Sequence, residues 1–159
     1  SPTTPIGRRS KTDPQGSADR PINPMAQLLG SSASFIARSH AAHVKHMTEM
    51  FERAVKHPGF SVVEVLSECT MFYPGAFDAA IPRKGGEFNL INEEEHDLTS
   101  TSKAFDLAQL EFPGKFGVFY QDERPSKNDL EQKWINETHD KQGDLAPQDL
   151  MRQKFAAMQ

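Results

Sequence analysis

The stretch FSVVEVL, residues 60–66, is apolar on both alternating faces apart from Glu64 and rich in β-branched residues. That pattern predicts a strand buried on both sides, as in a parallel sheet. From Ala41 to His57, Val44, Met47, Phe51, Ala54 and Val55 recur at three- and four-residue steps, while Lys45, Glu49, Glu52, Arg53 and Lys56 fall elsewhere around the turn. This predicts an amphipathic helix ended by Pro58-Gly59. SASFIARS predicts a strand around Phe35 to Arg38. NPMAQLLG predicts a short helix with Asn23 as N-cap, Pro24 at the first helical position and Gly30 as a left-handed stop. Helix, strand, helix, strand with short connections make one and a half βα units of a doubly wound α/β sheet. Such sheets bind ligands at the carboxyl ends of their strands.

After Gly75 the pattern loosens. IPRKGGEFNLINEEEHD reads as a charged loop with a short hairpin, TSTSKAFDLAQL as a helix with a hydroxyl-rich start, and KFGVFY, residues 115–120, as a strand. SKNDLEQKWINETH reads as a helix begun by a Ser126/Asp129 capping box. In APQDLMRQKFAAMQ, Met151, Phe155 and Met158 form a narrow apolar stripe that needs something to dock on. Residues 1–22, with Pro2, Pro5, Pro14 and Pro21, read as extended loop.

Composition changes this picture in one respect. Of the 159 residues 36% are hydrophobic, mean hydropathy is −0.62, and the 11 prolines fall largely outside the apolar runs, so part of the chain is expected to be extended or to lean on a partner. A net charge of −4 argues against nucleic acid as a ligand, since that needs a clustered basic face. No run of about 18 apolar residues exists to cross a membrane. The single cysteine, Cys69, precludes an internal disulfide and suits a cytoplasmic setting. The chain opens on Ser1 in a segment that reads like mid-protein, the expectation being a truncated or processed polypeptide.

Candidate chemistry is sparse. His40, His43 and His46, three residues apart, would fan over about 120° of a helix, too wide for one tetrahedral zinc site, and read as exposed polar positions near the helix start. EEEHD, residues 93–97, lacks the glycine-centred spacing of a calcium loop and reads as solvated. Arg8, Arg9 and Lys11 could grip a phosphate or an acidic partner, or form a solvated arm. Cys69 sits where the 60–66 strand runs out into a loop of Pro, Gly and aromatics. By spacing alone it reads as a buried structural thiol, because an iron–sulfur cluster needs four such ligands.

The opening SPTTPIG, the NPMAQLL helix, the run ASFIARSHAAHVKHMTEMFERAVKHPGFSVVEVLSEC and the downstream GVFYQDERPSK, in this order and spacing, resemble the β subunit of 2-oxoacid:ferredoxin oxidoreductases, particularly the 2-oxoglutarate type. The resemblance covers Ser1 to about Gly75 and residues 115–127 best. It implies the C-terminal half of a thiamine diphosphate-binding doubly wound domain over residues 1–75. Residues 76–159 would be a partly extended α+β extension facing another subunit. It also implies an enzyme that converts a 2-oxoacid and CoA to acyl-CoA and CO2 with electrons passing to ferredoxin, and an α subunit and a second β subunit as partners. The motifs that hold magnesium and the diphosphate in this family would lie before Ser1, so this chain by itself is expected to be inactive. Ser1, Thr3 and Thr4 would lie near the cofactor. Cys69 takes the position of the fourth ligand of a [4Fe-4S] cluster whose other three cysteines lie upstream in the family, and Glu68 stands where proline is common. The rival readings are a non-catalytic α/β interaction module in which Cys69 is packing, and a small nucleic-acid binder using the basic N-terminal arm.

Overall fold

The computed structural model describes residues 4–143 and 146–158. Two compact units divide the chain, the first running to Arg124 and the second from Pro125.

The first unit is built on a three-stranded sheet, β1 (Phe35–His40), β2 (Ser61–Leu66) and β3 (Gly117–Gln121), in the order β2-β1-β3. Strands β1 and β2 are parallel, joined by helix α2 (Val44–Lys56), and β3 runs antiparallel along the other side of β1. The sheet is therefore mixed, with the βα crossover that the sequence pattern predicts and with the strand predicted at residues 115–120 placed antiparallel, which the pattern does not indicate. Its β3 residues come from beyond residue 75. Helices α1 (Pro24–Gly30) and α3 (Thr101–Ala108) cover one face, where Met25, Leu29, Ile36, Ala104, Ala108 and Phe119 are buried together. On the other face α2 places Met50 against Phe35, Ala37 and Val118. Successive residues of β1 thus feed two cores, which is why this strand is buried almost throughout.

Strand β2 differs from its expectation. All six of its residues are half-buried, because it is an edge strand with β1 on one side only among the described residues. Its one charged residue is explained by its neighbour: Arg38 and Glu64 stand opposite each other in register, with a guanidinium–carboxylate contact of 2.5 Å.

Local chemistry sets the helix ends. Asn23 Oδ1 accepts from the Ala26 amide at 3.1 Å, and Asn23 Nδ2 donates to the Ala108 carbonyl at 2.7 Å, tying α1 to the end of α3. Gly30 remains helical. The left-handed residue is instead Ser32, φ 58°, whose carbonyl accepts from Arg124. Helix α2 begins at Val44 rather than Ala41, because residues 41–43 form the turn out of β1. Beyond it, Gly59 has φ 135°, and a Cβ there would stand 2.6 Å from Ser34 Oγ, so the turn into β2 requires glycine. Residues 78–84 form two short 3-10 turns, and the hairpin expected after Gly75 does not form.

In the second unit, α4 (Lys127–Gln142) carries the expected capping box, Ser126 and Asp129 each accepting from the other's backbone amide. Helix α5 (Pro147–Ala156) exposes Met151 and Phe155, and Met158, also exposed, lies past its end.

The three histidines are packed rather than exposed. His40 ends β1 at 4% exposure, its Nδ1 accepting from the Ala42 amide at 3.0 Å. His43 donates through Nε2 to the Ala80 carbonyl and stacks on Phe88, with centroids 3.6 Å apart, and His46 Nδ1 lies 2.8 Å from Ser39 Oγ. Aromatic partners from the 77–88 loop, invisible in the local pattern, draw these rings inward. Burial, with His43 nearby, holds His40 below the usual 6.5, against the opposing pull of Glu68. Burial likewise lowers His46, opposed by Glu49 and aided by His43. Both rings bind protons less readily folded than unfolded. Their contribution to stability is full above about pH 6.5 and is lost as pH falls below it. Urea unfolding should show lower stability at about pH 5 than at about pH 7.5, and His40→Phe should flatten that slope. An unchanged slope in the variant would refute the assignment.

Candidate functional site

Strand β2 ends at Leu66, whose carbonyl accepts from the Ala41 amide at 2.9 Å, and the chain then turns through Ser67, Glu68 and Cys69. The turn closes on itself. Cys69 O accepts from the Tyr73 amide at 2.9 Å, and the Glu68 carboxylate accepts from the Gly75 amide at 2.8 Å. Glu68 thus latches the turn through its side chain across seven residues. Cys69 is exposed, contrary to the reading as a buried structural thiol. The neighbouring backbone amides of Phe72 and Met71, with a lesser share from that of Tyr73, hold the thiol below its ordinary 9.0, against an opposing effect of desolvation. An accessible thiol biased toward thiolate is what a soft-metal ligand or a nucleophile requires.

The N-terminal segment folds onto this turn instead of forming an extended arm. Gly7 N donates to Ser17 O at 2.8 Å and Ser17 N to Arg8 O at 3.0 Å, and Ser10 and Asp13 exchange backbone bonds at the tip. The Arg8 guanidinium lies 4.3 Å from the Tyr73 ring centroid, a cation–π contact between the two turns. Lys11 Nζ reaches to 4.0 Å from Met71 Sδ.

Between them lies a cavity of about 530 Å³, within the range of small-molecule sites. Thr4, Arg8 and Asp13 line it from the N-terminal side, Cys69, Tyr73 and Phe77 from the other. Two of the candidate residues, Thr4 and Cys69, therefore share one cavity at the carboxyl ends of the parallel strands. Ser1 and Thr3 fall outside the described residues. Phe72, Phe77 and Phe112 supply apolar wall, the first two from the run MFYPGAF just past the cysteine and the third from a segment distant in sequence. The hydroxyls of Ser10, Thr12, Ser17 and Ser67 complete the lining. Among the described residues, no group of three or more His, Cys, Asp or Glu is arranged to hold a metal ion, so Cys69 could serve only as one ligand of a shared centre. In the 93–97 loop, Glu93 pairs with Arg53, and His96 donates to the Phe119 carbonyl at 2.8 Å.

No family model matches the chain. Over 91 residues it is 37% identical to the 2-oxoglutarate oxidoreductase subunit KorB of Mycobacterium tuberculosis, an alignment that covers 57% of this chain and 24% of the relative. Over 127 residues it is 30% identical to the 2-oxoglutarate synthase subunit KorB of Methanocaldococcus jannaschii, covering 79% of this chain and 45% of the relative. The chain thus spans less than half the length of these curated relatives. Among solved structures, a chain of 2-oxoglutarate:ferredoxin oxidoreductase from Magnetococcus marinus, with 2-oxoglutarate, coenzyme A and succinyl-CoA bound, superimposes with a TM-score of 0.77 at 24% identity. That match covers 96% of this chain and 51% of the other, and it shows a shared fold. No helix of the described residues is long and apolar enough to cross a membrane.

Proposed function

Because the chain is homologous to the β subunits of 2-oxoacid:ferredoxin oxidoreductases, we propose that it forms the C-terminal portion of such a subunit. In the intact enzyme it serves the oxidative decarboxylation of a 2-oxoacid, with 2-oxoglutarate as the favoured substrate, and CoA to acyl-CoA and CO2, with ferredoxin as electron acceptor. The observation that carries this reading is the meeting of Thr4 and Cys69 on one cavity at the strand ends.

Residues 1–75 are read as the C-terminal half of a doubly wound thiamine diphosphate-binding domain. The half-buried edge of β2 supports this, flanked by Val55 and Phe60 at 86% and 66% exposure: an apolar edge of this kind is suited to further strands and helices. Residues 76–159 are read as the extension that meets the α subunit or a second β subunit, and the whole assembly as cytoplasmic.

The donor set fits a share in a [4Fe-4S] cluster, which supplies one-electron acceptance when bound. Cys69 would be one thiolate ligand, and the other three would come from polypeptide outside this chain. The amides of Met71, Phe72 and Tyr73 stabilise its sulfur as thiolate, the kind of hydrogen bonding that tunes such centres. Glu68 fixes the turn, Arg8 holds Tyr73 in place, and Phe72, Phe77 and Phe112 give the cavity its apolar wall. Thr4, with Ser1 and Thr3, would border the thiamine diphosphate and its Mg2+.

The test is to purify the native protein with its partners and measure iron together with CoA-dependent turnover of 2-oxoglutarate. About four irons per chain and turnover in the complex, with neither in the 159-residue chain alone, are expected. A complex without iron would leave a shared fold without the proposed redox role. Turnover by the isolated chain would overturn its reading as an incomplete part.

A further inference from the structure

The N-terminal turn concentrates positive charge in an otherwise acidic chain. Residues 1–22 hold four cations, Arg8, Arg9, Lys11 and Arg20, against Asp13 and Asp19, whereas the rest of the chain holds 14 cations against 20 acids. Arg8, Arg9 and Lys11 are exposed, within four positions of one another on a turn fixed by its own backbone bonds. The two acidic groups of the paired turns are less accessible: Asp13 is half-buried in the cavity wall, and Glu68, also half-buried, is engaged by the Gly75 amide. The turn is held onto the cysteine loop by the Arg8–Tyr73 contact, with Lys11 exposed alongside Met71, which places this basic surface at the rim of the cavity that Cys69 lines.

We propose that this basic turn is the docking surface for an acidic one-electron carrier protein. The inference rests on the redox reading of Cys69 and adds where the carrier sits. Charges at the rim of an interface mainly speed and orient encounter, and their effect is screened beyond about 8–10 Å at physiological salt. A carrier seated on Arg9 and Lys11 would approach beside the thiol, and its acidic surface would be repelled from the remainder of the chain, which carries a net negative charge.

The experiment uses the intact, partner-bound protein and its R9E/K11E variant, two residues that do not line the cavity. A purified acidic ferredoxin is titrated without turnover at low and at moderate salt, and reduction of that ferredoxin is compared with reduction of a small viologen dye. The expected result is an affinity for ferredoxin about tenfold weaker in the variant at low salt, a KM raised to match, loss of salt sensitivity and unchanged dye reduction. Equal affinity and equal salt response in the two proteins, with dye reduction intact, would overturn the docking surface and leave the enzymatic reading standing. Salt-sensitive binding that the variant loses, in a protein that reduces neither ferredoxin nor dye, would support the surface and overturn the enzymatic reading.

Discussion

On the redox reading proposed above, replacing Cys69 by serine in the intact, partner-bound protein is expected to remove most of its iron. Electron transfer should fall by at least about 100-fold, more than a change in the outer hydrogen bonding of such a centre typically costs. The thiol is exposed, so serine fits the same space, and the turn retains its Cys69–Tyr73 backbone bond and its Glu68–Gly75 latch. A fold defect is therefore not the expected route of loss, and unchanged urea unfolding of the variant should accompany the missing iron. What serine lacks is the soft, readily deprotonated sulfur that the amides of Phe72, Met71 and Tyr73 hold toward its thiolate. Iron assay and electron paramagnetic resonance of the reduced protein provide the measurement. Iron content equal to wild type would make Cys69 a packing residue and favour the interaction-module reading.

The second large effect is expected in the sheet. Arg38→Met should destabilise the protein by about 3 kcal/mol, because it leaves the Glu64 carboxylate without its partner in a place largely closed to water. The two side chains are 12% and 16% exposed, and the Arg38 guanidinium also lies 5.3 Å from the Phe119 ring centroid. The double variant Arg38→Met with Glu64→Leu should recover most of the loss, since a hydrophobic pair of similar volume has no charge to desolvate. Urea unfolding of the single and double variants tests this. A single variant within about 0.5 kcal/mol of wild type would mean that water screens the pair as it does at a surface.

The pair also marks a limit of local pattern. In FSVVEVL, Glu64 is legible as an exception, but its partner lies 26 positions away on β1, and only the parallel register brings Arg38 opposite. The histidines show the same limit. Spacing placed His40, His43 and His46 on a helix surface, whereas Phe77 and Phe88 arrive from a loop more than 30 residues on and enclose them. The N-terminal turn is a third case: four prolines spoke for an extended arm, but backbone bonds of Ser17 to Gly7 and Arg8 close it into a turn, and Arg8 meets Tyr73 of the cysteine loop.

Sequence by itself determined the elements whose causes are local. Helix α2, the Asn23 cap and the Ser126/Asp129 box follow from interactions within a few residues, and the β-branched run of β2 is a property of its segment, but the face α2 buries is not the predicted stripe: Met50 is buried, whereas Val44, Phe51 and Val55 are exposed. The order of elements further determined a parallel β1–α2–β2 unit, because a short helical crossover permits little else. Cys69 at the end of β2 followed from that order. Tertiary structure alone decided the antiparallel placement of β3, the edge position of β2 and the cavity that joins Thr4 to Cys69. Each of these depends on contacts between segments far apart in the chain, whose free energy comes from burial and pairing that no single segment encodes.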